Sequence, residues 1–470
     1  MKHFKRKKIL LYIFLILGIV CAFYRVFPYF SSMLPLWYDP WVYRGIYLAY
    51  VKLAPVFQFS HVPYWIMHEP LRGIFSVAMS KIGISIDVLL TFWLWFFSIL
   101  WWFFVFLITK KYSTKAAIFA MILFWISIIQ YHAFELCYYK QVIGVDLMLI
   151  LIYFRNSRKY RTSLPFLVAL ILLHRTTTVY LWMTSLLYII IQFITTKKLN
   201  KKFILIWIIS LAIWLPLYGT LFQRLLLDFF HPLVTTVWGT GIQGNFFSRS
   251  EFRWFVLFLI VPTWYGVYMK IKNKEYDLMF SWLIVWIVWV SLWLLNANRM
   301  ELFLDVYIIL ITGYALYHIF KSNKKRLIWL VYVWVILQMI YYYGYVSQNN
   351  TTWISSEEFQ SITTLKDIIP ISGIVIWTDS FLSPWIAGYA DRDWITPGLS
   401  DINQMTHTER DQRRPASGKQ KCQMFERYIS LDRPLYMRES KLFRQEDVAG
   451  WRCFNLIRTD EYHNLYKIVF

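Results

Sequence analysis

Charge is scarce in this sequence. Of its 470 residues only 16% are charged, where soluble proteins carry about 25%. With 58% hydrophobic residues, the three soluble domains that the length alone would allow are excluded, and the chain must lie largely in lipid. Other signals are missing as well. No Cys/His spacing resembles a zinc site, and GxSxG and Walker sequences do not occur. No small-residue cleavage site precedes the bulky Phe27-Pro28-Tyr29, which favours an uncleaved first span over a signal peptide. No internal repeat relates two halves, as it commonly does in transporters. What is abundant is aromatic: 25 Trp, 33 Tyr and 38 Phe, a density that disordered chains lack.

The formal charge of +22 is unevenly placed. Residues 1–349 hold 34 Lys and Arg against 11 Asp and Glu, whereas residues 350–470 hold 15 against 16. Eleven apolar stretches fall at about 9–27, 86–108, 116–131, 142–154, 163–173, 179–194, 203–222, 254–269, 278–295, 302–320 and 327–346. Every second connection is basic: Lys2 to Lys8, Lys110 to Lys115, Arg155 to Arg161, Lys197 to Lys202, Lys270 to Lys274 and Lys321 to Arg326. These six clusters contain 23 of the 34 cations, so the positive-inside rule places them, and the N-terminus, in the cytoplasm. Insertion explains the charge, and nucleic acid is not an expected partner. The fold class expected is an all-α polytopic membrane protein of about eleven spans (1–349), followed by a small extracytoplasmic α/β domain (350–470).

Two stretches, 142–154 and 163–173, are shorter than the roughly 20 residues a crossing needs. The helices around Glu135 to Gln141 and His174 to Thr178 therefore end below the outer surface, in a cavity or as a bent pair with a buried polar tip. Nine of the 11 membrane-part acids (Asp39, Glu69, Asp87, Glu135, Asp146, Asp228, Glu251, Glu301, Asp305) lie outside or near the outer span ends. Acids so placed point to function on that side.

The first outer loop, 28–85, contains two amphipathic patterns, PWVYRGIYLAYVKL from Pro40 and PLRGIFSVAMSKIG from Pro70, which read as helices on the membrane surface. Asp39 precedes the first, and His68-Glu69 precede the second. A carboxylate there can take a proton from an attacking hydroxyl, and Asp39, His68 and Glu69 together could hold a divalent metal. Asp39 is equally suited to capping a helix whose first residue is Pro40.

These motifs resemble the GT-C superfamily of membrane glycosyltransferases. HEPLRGIFSVAMSKIGIS is similar to the "PPL…klfG.s" signature of the protein O-mannosyltransferase and lipid A aminoarabinose transferase branch. YDPWVYR is similar to a segment of oligosaccharyltransferase, and in the tail FLSPWIAGYADRDWITPG is similar to its "yaNR" passage. The resemblance implies an inverting transfer from a polyprenyl-phosphate- or polyprenyl-diphosphate-linked sugar to a glycan, lipid or protein acceptor outside the plasma membrane, with Asp39 as base or acceptor-positioning carboxylate. Pro40 stands where many relatives have a second acid, a gap that Glu69 could fill. A lipid phosphate needs cations. Arg299 in NANRMELF, Arg175 in LLHRTTT and Lys140 are the candidates, with Arg249 weaker; each could instead be a snorkelling anchor.

In the tail, Ser355-Ser356-Glu357-Glu358 opens a helix over 355–369 and ISGIVIWTDS reads as a buried strand. Cys422 and Cys453 face an oxidising exterior, which permits a disulfide. The competing functions are a polymerase or ligase of lipid-linked glycans and a non-enzymatic transporter of them.

Overall fold

The computed structural model describes residues 77–135, 139–157, 159–197, 200–215, 249–291, 297–349, 355–377, 392–395, 433–441 and 452–469, with single positions elsewhere. The chain divides into two compact units, Met1–Ser31 with Phe92–Thr351, and Ser32–Thr91 with Thr352–Phe470.

The first unit is helical. Its elements are α1 (Ile86–Lys110, whose first residues belong to the second unit), α2 (Thr114–Trp125), α3 (Ile128–Glu135), α4 (Tyr139–Asn156), α5 (Tyr160–Leu173) and α6 (Arg175–Thr196). They are followed by α7 (201–215), α8 (Arg249–Lys272), α9 (Leu278–Ser291), α10 (Ala297–Lys321) and α11 (Lys325–Asn349). Among the described residues four helical stretches are long and apolar enough to cross a membrane: Thr177–Thr196, Trp254–Lys272, Glu301–Lys321 and Lys325–Gln348. Leucines, tryptophans and valines on α8 and α11, such as Val261, Trp264, Trp329 and Leu330, are more than 60% exposed. Water would not tolerate so large an apolar surface, and lipid does.

Helix α10 is the centre of this unit, packed against α2, α8 and α9. Apolar packing alone gives little preference between lipid and helix, so close approach at small residues matters. At Gly266 of α8 an added Cβ would lie 2.6 Å from the Ile311 carbonyl oxygen of α10. At Gly313 of α10 it would lie 2.8 Å from Thr109 and 3.0 Å from Ala120. The Thr263 and Thr312 hydroxyls join the same pair of helices at 3.0 Å.

At two closely spaced helix breaks the interruption needs neither glycine nor proline. Between α2 and α3, Ser127 accepts from the Gln130 amide (3.2 Å) as an N-cap and donates to Asp305 Oδ2 across the bundle (2.7 Å). Between α5 and α6 only His174 intervenes; it is buried and its Nδ1 accepts from the Thr177 amide at 3.2 Å. Thr177 and Thr178 are also buried, so this polar tip is received by protein.

In the second unit, α12 (Ser356–Thr363) and α13 (Leu365–Ile368) precede a five-stranded sheet. Ser355 caps α12 by accepting from the Glu358 amide. The strands are β1 (Ile374–Trp377), β2 (Asp393–Ile395), β3 (Leu435–Ser440), β4 (Phe454–Thr459) and β5 (His463–Ile468), in the order β2-β1-β3-β5-β4. β1 pairs in parallel with β2 and β3, while β5 is antiparallel to β3 and β4. Side chains alternate between two cores. Val375, Tyr436 and Leu465 pack under Ile362, Leu365 and Ile369, and Ile376, Met437 and Tyr466 pack with Phe425 and Phe454 on the other face. Cover on both faces explains why β1 is an uninterrupted apolar run. Cys422 and Cys453 form a disulfide, with Cα atoms 6.0 Å apart, at the margin of the second core.

Candidate functional site

Asp39, His68 and Glu69 lie outside the described residues. The segment that carries Asp39 is represented by Arg44, a helical residue of the second unit. Arg44 forks onto Asp87 in the first turn of α1, with Nε to Oδ1 at 2.7 Å and Nη2 to Oδ2 at 3.1 Å. Tyr389 donates its hydroxyl to the same Oδ1 at 3.2 Å and lies with its ring centroid 4.2 Å from the Arg44 guanidinium carbon. A guanidinium fork on a carboxylate fixes direction as well as distance, and the aromatic face supplies a third contact. Tyr389 is itself held edge-on by Phe359 of α12 at 4.9 Å and packs against the first tail core. Three residues further on, Arg392 donates to the carbonyls of Lys366 and Ile369, which ties it to the end of α13.

The cations expected to hold a phosphate are placed by their backbones alone. Arg175 opens α6, Arg299 is the third residue of α10, and Lys140 is the second of α4. Their side chains lie outside the described residues, as does that of Glu135 at the end of α3. Glu301 and Asp305, one turn apart on α10, are 0% and 1% exposed. Asp305 Oδ2 accepts from Ser127 (2.7 Å) and from Gln130 Nε2 (2.8 Å), and Gln130 also reaches the Leu302 carbonyl. His132 of α3 meets the Tyr345 hydroxyl of α11 at 2.5 Å. Asp146 of α4 is 1% exposed, and among the described residues neither of its oxygens has a hydrogen-bond partner. Among the described residues no group of three His, Cys, Asp or Glu is arranged to hold a metal.

At the opposite ends of these helices, the turns rich in lysine build a second polar cluster. Lys270, fully buried, binds Asp277 at 3.0 Å and sits 4.5 Å from the Tyr314 ring centroid. Lys111 approaches the same carboxylate at 3.7 Å, and Tyr112 donates to it at 3.4 Å. Burial would raise the Asp277 carboxyl, but the Lys270 and Lys111 cations outweigh it and hold the group below its ordinary value. Burial lowers Lys111, with partial relief from Asp277. An apolar groove of about 250 Å³ lies between α8, α9 and α10, lined by Ile260, Trp264, Phe280, Leu283 and Ile308 among others. Such a lining suits hydrocarbon.

The tail has its own buried network. Ser361 Oγ lies 2.8 Å from Asp460 Oδ2 and from His463 Nδ1, and Arg438 Nη2 lies 2.9 Å from the same nitrogen. Burial and the Arg438 cation push His463 down to about 3, so the ring is neutral at ordinary pH. The hydroxyl also lies 3.1 Å from Nε2, and Asp460 Oδ1 lies 2.9 Å from Nδ1, but a ring held near 3 is too weak a base to activate a serine, and Ser361 gives its proton to Asp460. The network is therefore a structural clasp between α12 and the β4–β5 turn. Neither this clasp nor the Arg44–Asp87–Tyr389 cluster is legible in the sequence, although Asp87 is one of the nine outer acids and Tyr389 lies in the passage similar to oligosaccharyltransferase.

Compared with known proteins, residues 33–357 match the EpsG family. No curated protein sequence matches. Among solved structures, ArnT from Cupriavidus metallidurans bound to undecaprenyl phosphate superposes with a TM-score of 0.64 at 10% identity, covering 97% of this chain and 97% of that one. The apo oligosaccharyltransferase of Archaeoglobus fulgidus gives 0.60 at 12% identity over 91% of this chain and 70% of that one. The oligosaccharyltransferase AglB from the same organism, in complex with an inhibitory peptide and a dolichol-phosphate, gives 0.59 at 12% identity, covering 91% and 69%. The chain has the GT-C fold.

Proposed function

The chain belongs to the EpsG family, and from that membership and its GT-C fold we propose a membrane glycosyltransferase that moves a sugar from a polyprenyl-phosphate-linked donor to an acceptor on the extracytoplasmic face. The observation that carries the reading is the likeness to ArnT, bound there to undecaprenyl phosphate, over nearly the whole of both chains. The basic turns orient the protein with its N-terminus and these loops in the cytoplasm, eleven spans in the bilayer and residues 350–470 outside.

In this reading the acceptor hydroxyl attacks the anomeric carbon, Asp39 takes its proton, and the carbon–oxygen bond to phosphate breaks with inversion. The electron pair leaves with the polyprenyl phosphate. Arg299, Arg175 and Lys140 stabilise that phosphate as its charge grows, since fixed cations in a water-poor site act strongly on developing charge. His68 and Glu69 shape the site or, with Asp39, hold a divalent cation. The apolar groove beside α8 offers room for part of the lipid chain.

Membership of the EpsG family favours a second reading, a polymerase that joins preassembled lipid-linked glycan units. Mass spectrometry of products made by the purified protein in lipid nanodiscs separates the two. One sugar added per acceptor supports the first, whereas a ladder of repeat-unit masses supports the second. In either case Asp39→Asn should lower turnover by about a hundredfold or more with unchanged thermal unfolding. Undiminished turnover would remove Asp39 from the chemistry.

A further inference from the structure

We infer that Arg44, Asp87 and Tyr389 form a positioning cluster that sets the first-loop segment, and with it Asp39, in its working geometry; this rests on the reading of Asp39 as the base. Only five positions separate Asp39 from Arg44, at most roughly 17 Å of fully extended chain. Whatever fixes Arg44 therefore restricts where Asp39 can be. Among the described residues Arg44 is held by both oxygens of Asp87 and by the face of Tyr389. Tyr389 closes the triangle by donating to Asp87 Oδ1. Each partner is anchored elsewhere, Asp87 in the first turn of α1 and Tyr389 against Phe359 and the core under α12. The cluster so joins the loop to a helix start and to a folded sheet domain within one compact unit.

The chemistry gives such a device a purpose. A proton-accepting carboxylate works only within hydrogen-bond reach of the hydroxyl, and a misplacement of about 1 Å can cost a hundredfold in rate. A loop without such a fastening would search many conformations for each productive one. Arg44 is only 18% exposed while Asp87 is half exposed, so the guanidinium lies inward, sheltered by the ring, and the carboxylate reaches it from the rim. Lysine could keep the charge at position 44 but not the fork.

The test is a coupled set of variants in the full-length protein, assayed for sugar transfer with saturating and with limiting lipid-linked donor. Arg44→Lys and Asp87→Asn should each lower kcat about tenfold or more while leaving the KM for donor within about twofold. The double variant should be no worse than the poorer single one, because both remove the same fastening. Tyr389→Phe, which keeps the ring and loses the hydroxyl, should cost a few-fold. Losses that multiply in the double variant, a rise in KM at constant kcat, or full activity of Arg44→Lys would each overturn the proposal. Asp39→Asn in the same assay separates the two inferences. If it retains turnover, the base assignment falls and takes the positioning role with it. If it is inactive while Arg44 and Asp87 act independently, only the positioning role falls.

Discussion

Mild acid should loosen the tail sheet before it disturbs the membrane helices, and His463 is the reason. In the fold the ring is 1% exposed and its proton affinity is depressed to about 3, because burial and the Arg438 cation both oppose a second positive charge. In the unfolded chain the same ring titrates near the ordinary 6.5. Between those two values the unfolded form binds more protons, so stability rises with pH across the window and is lost as pH falls through it. Taking 6.5 and about 3 as the two values, acidification from pH 7.5 to pH 5 removes roughly 2 kcal/mol, about a thirtyfold change in the opening equilibrium. Asp460 acts in the same direction at lower pH: despite burial, its bonds to Ser361 and His463 hold it below its usual value, and protonation releases them. Hydrogen exchange by mass spectrometry on the full-length protein, corrected for the intrinsic effect of pH, reads peptides from β3 to β5 directly. Protection there should fall about thirtyfold between pH 7.5 and pH 5, while peptides from α10 hold theirs. His463→Gln should abolish the slope. Equal protection at the two pH values, or an unchanged slope in the Gln variant, would refute the argument.

Two further outcomes follow from the packing of the helices. Gly266→Ala puts a methyl group against the Ile311 carbonyl, a backbone atom that cannot rotate aside, and should destabilise the bundle by about 1–3 kcal/mol; thermal unfolding in detergent measures it, and an unshifted Tm would show that α8 and α10 do not meet there. Asp277→Asn leaves the buried Lys270 without its carboxylate and should cost about 2 kcal/mol by the same assay, while Lys270→Met, which removes the buried charge and leaves Asp277 to Lys111, should cost less. Equal losses in the two variants would mean that the contact, rather than the stranded cation, carries the effect.

The helical plan was readable because lipid imposes its own code. The apolar stretches at 86–108, 254–269, 302–320 and 327–346 lie within α1, α8, α10 and α11, each of which runs a few residues beyond its stretch. Those extensions are polar or basic, since backbone hydrogen bonding continues past the point where side chains must be greasy. Breaks were harder to see. The stretch 116–131 is two helices, because Ser127 prefers Asp305 on a distant helix and the Gln130 amide to continuing the first helix. No local residue announces that choice: serine in a helix is ambiguous until its partner is known. Asp305 is visible in the sequence as an acid near the outer end of a span, yet its partners Ser127 and Gln130 are not, since they lie 178 and 175 positions away.

The same limit explains the candidate site. Asp39 stood out because an acid before a proline and an amphipathic run is a local pattern, which one sequence can display. Arg44, five residues on, looked like an unremarkable charge off the apolar face of that run. Its meaning depends on Asp87, 43 positions away, and on Tyr389, which is 302 positions from Asp87. Periodicity reports which face of a helix is apolar but says nothing about which polar side chain will meet it. Family signatures preserve such residues without stating why: the tail passage containing Tyr389 and Arg392 matched a known pattern, but its function as an anchor appears only once Tyr389 is against Arg44 and Arg392 is on the α13 carbonyls. A motif that looks like two separate signals, one in the first loop and one in the tail, is therefore a single physical object, with Asp87 as the group that joins them.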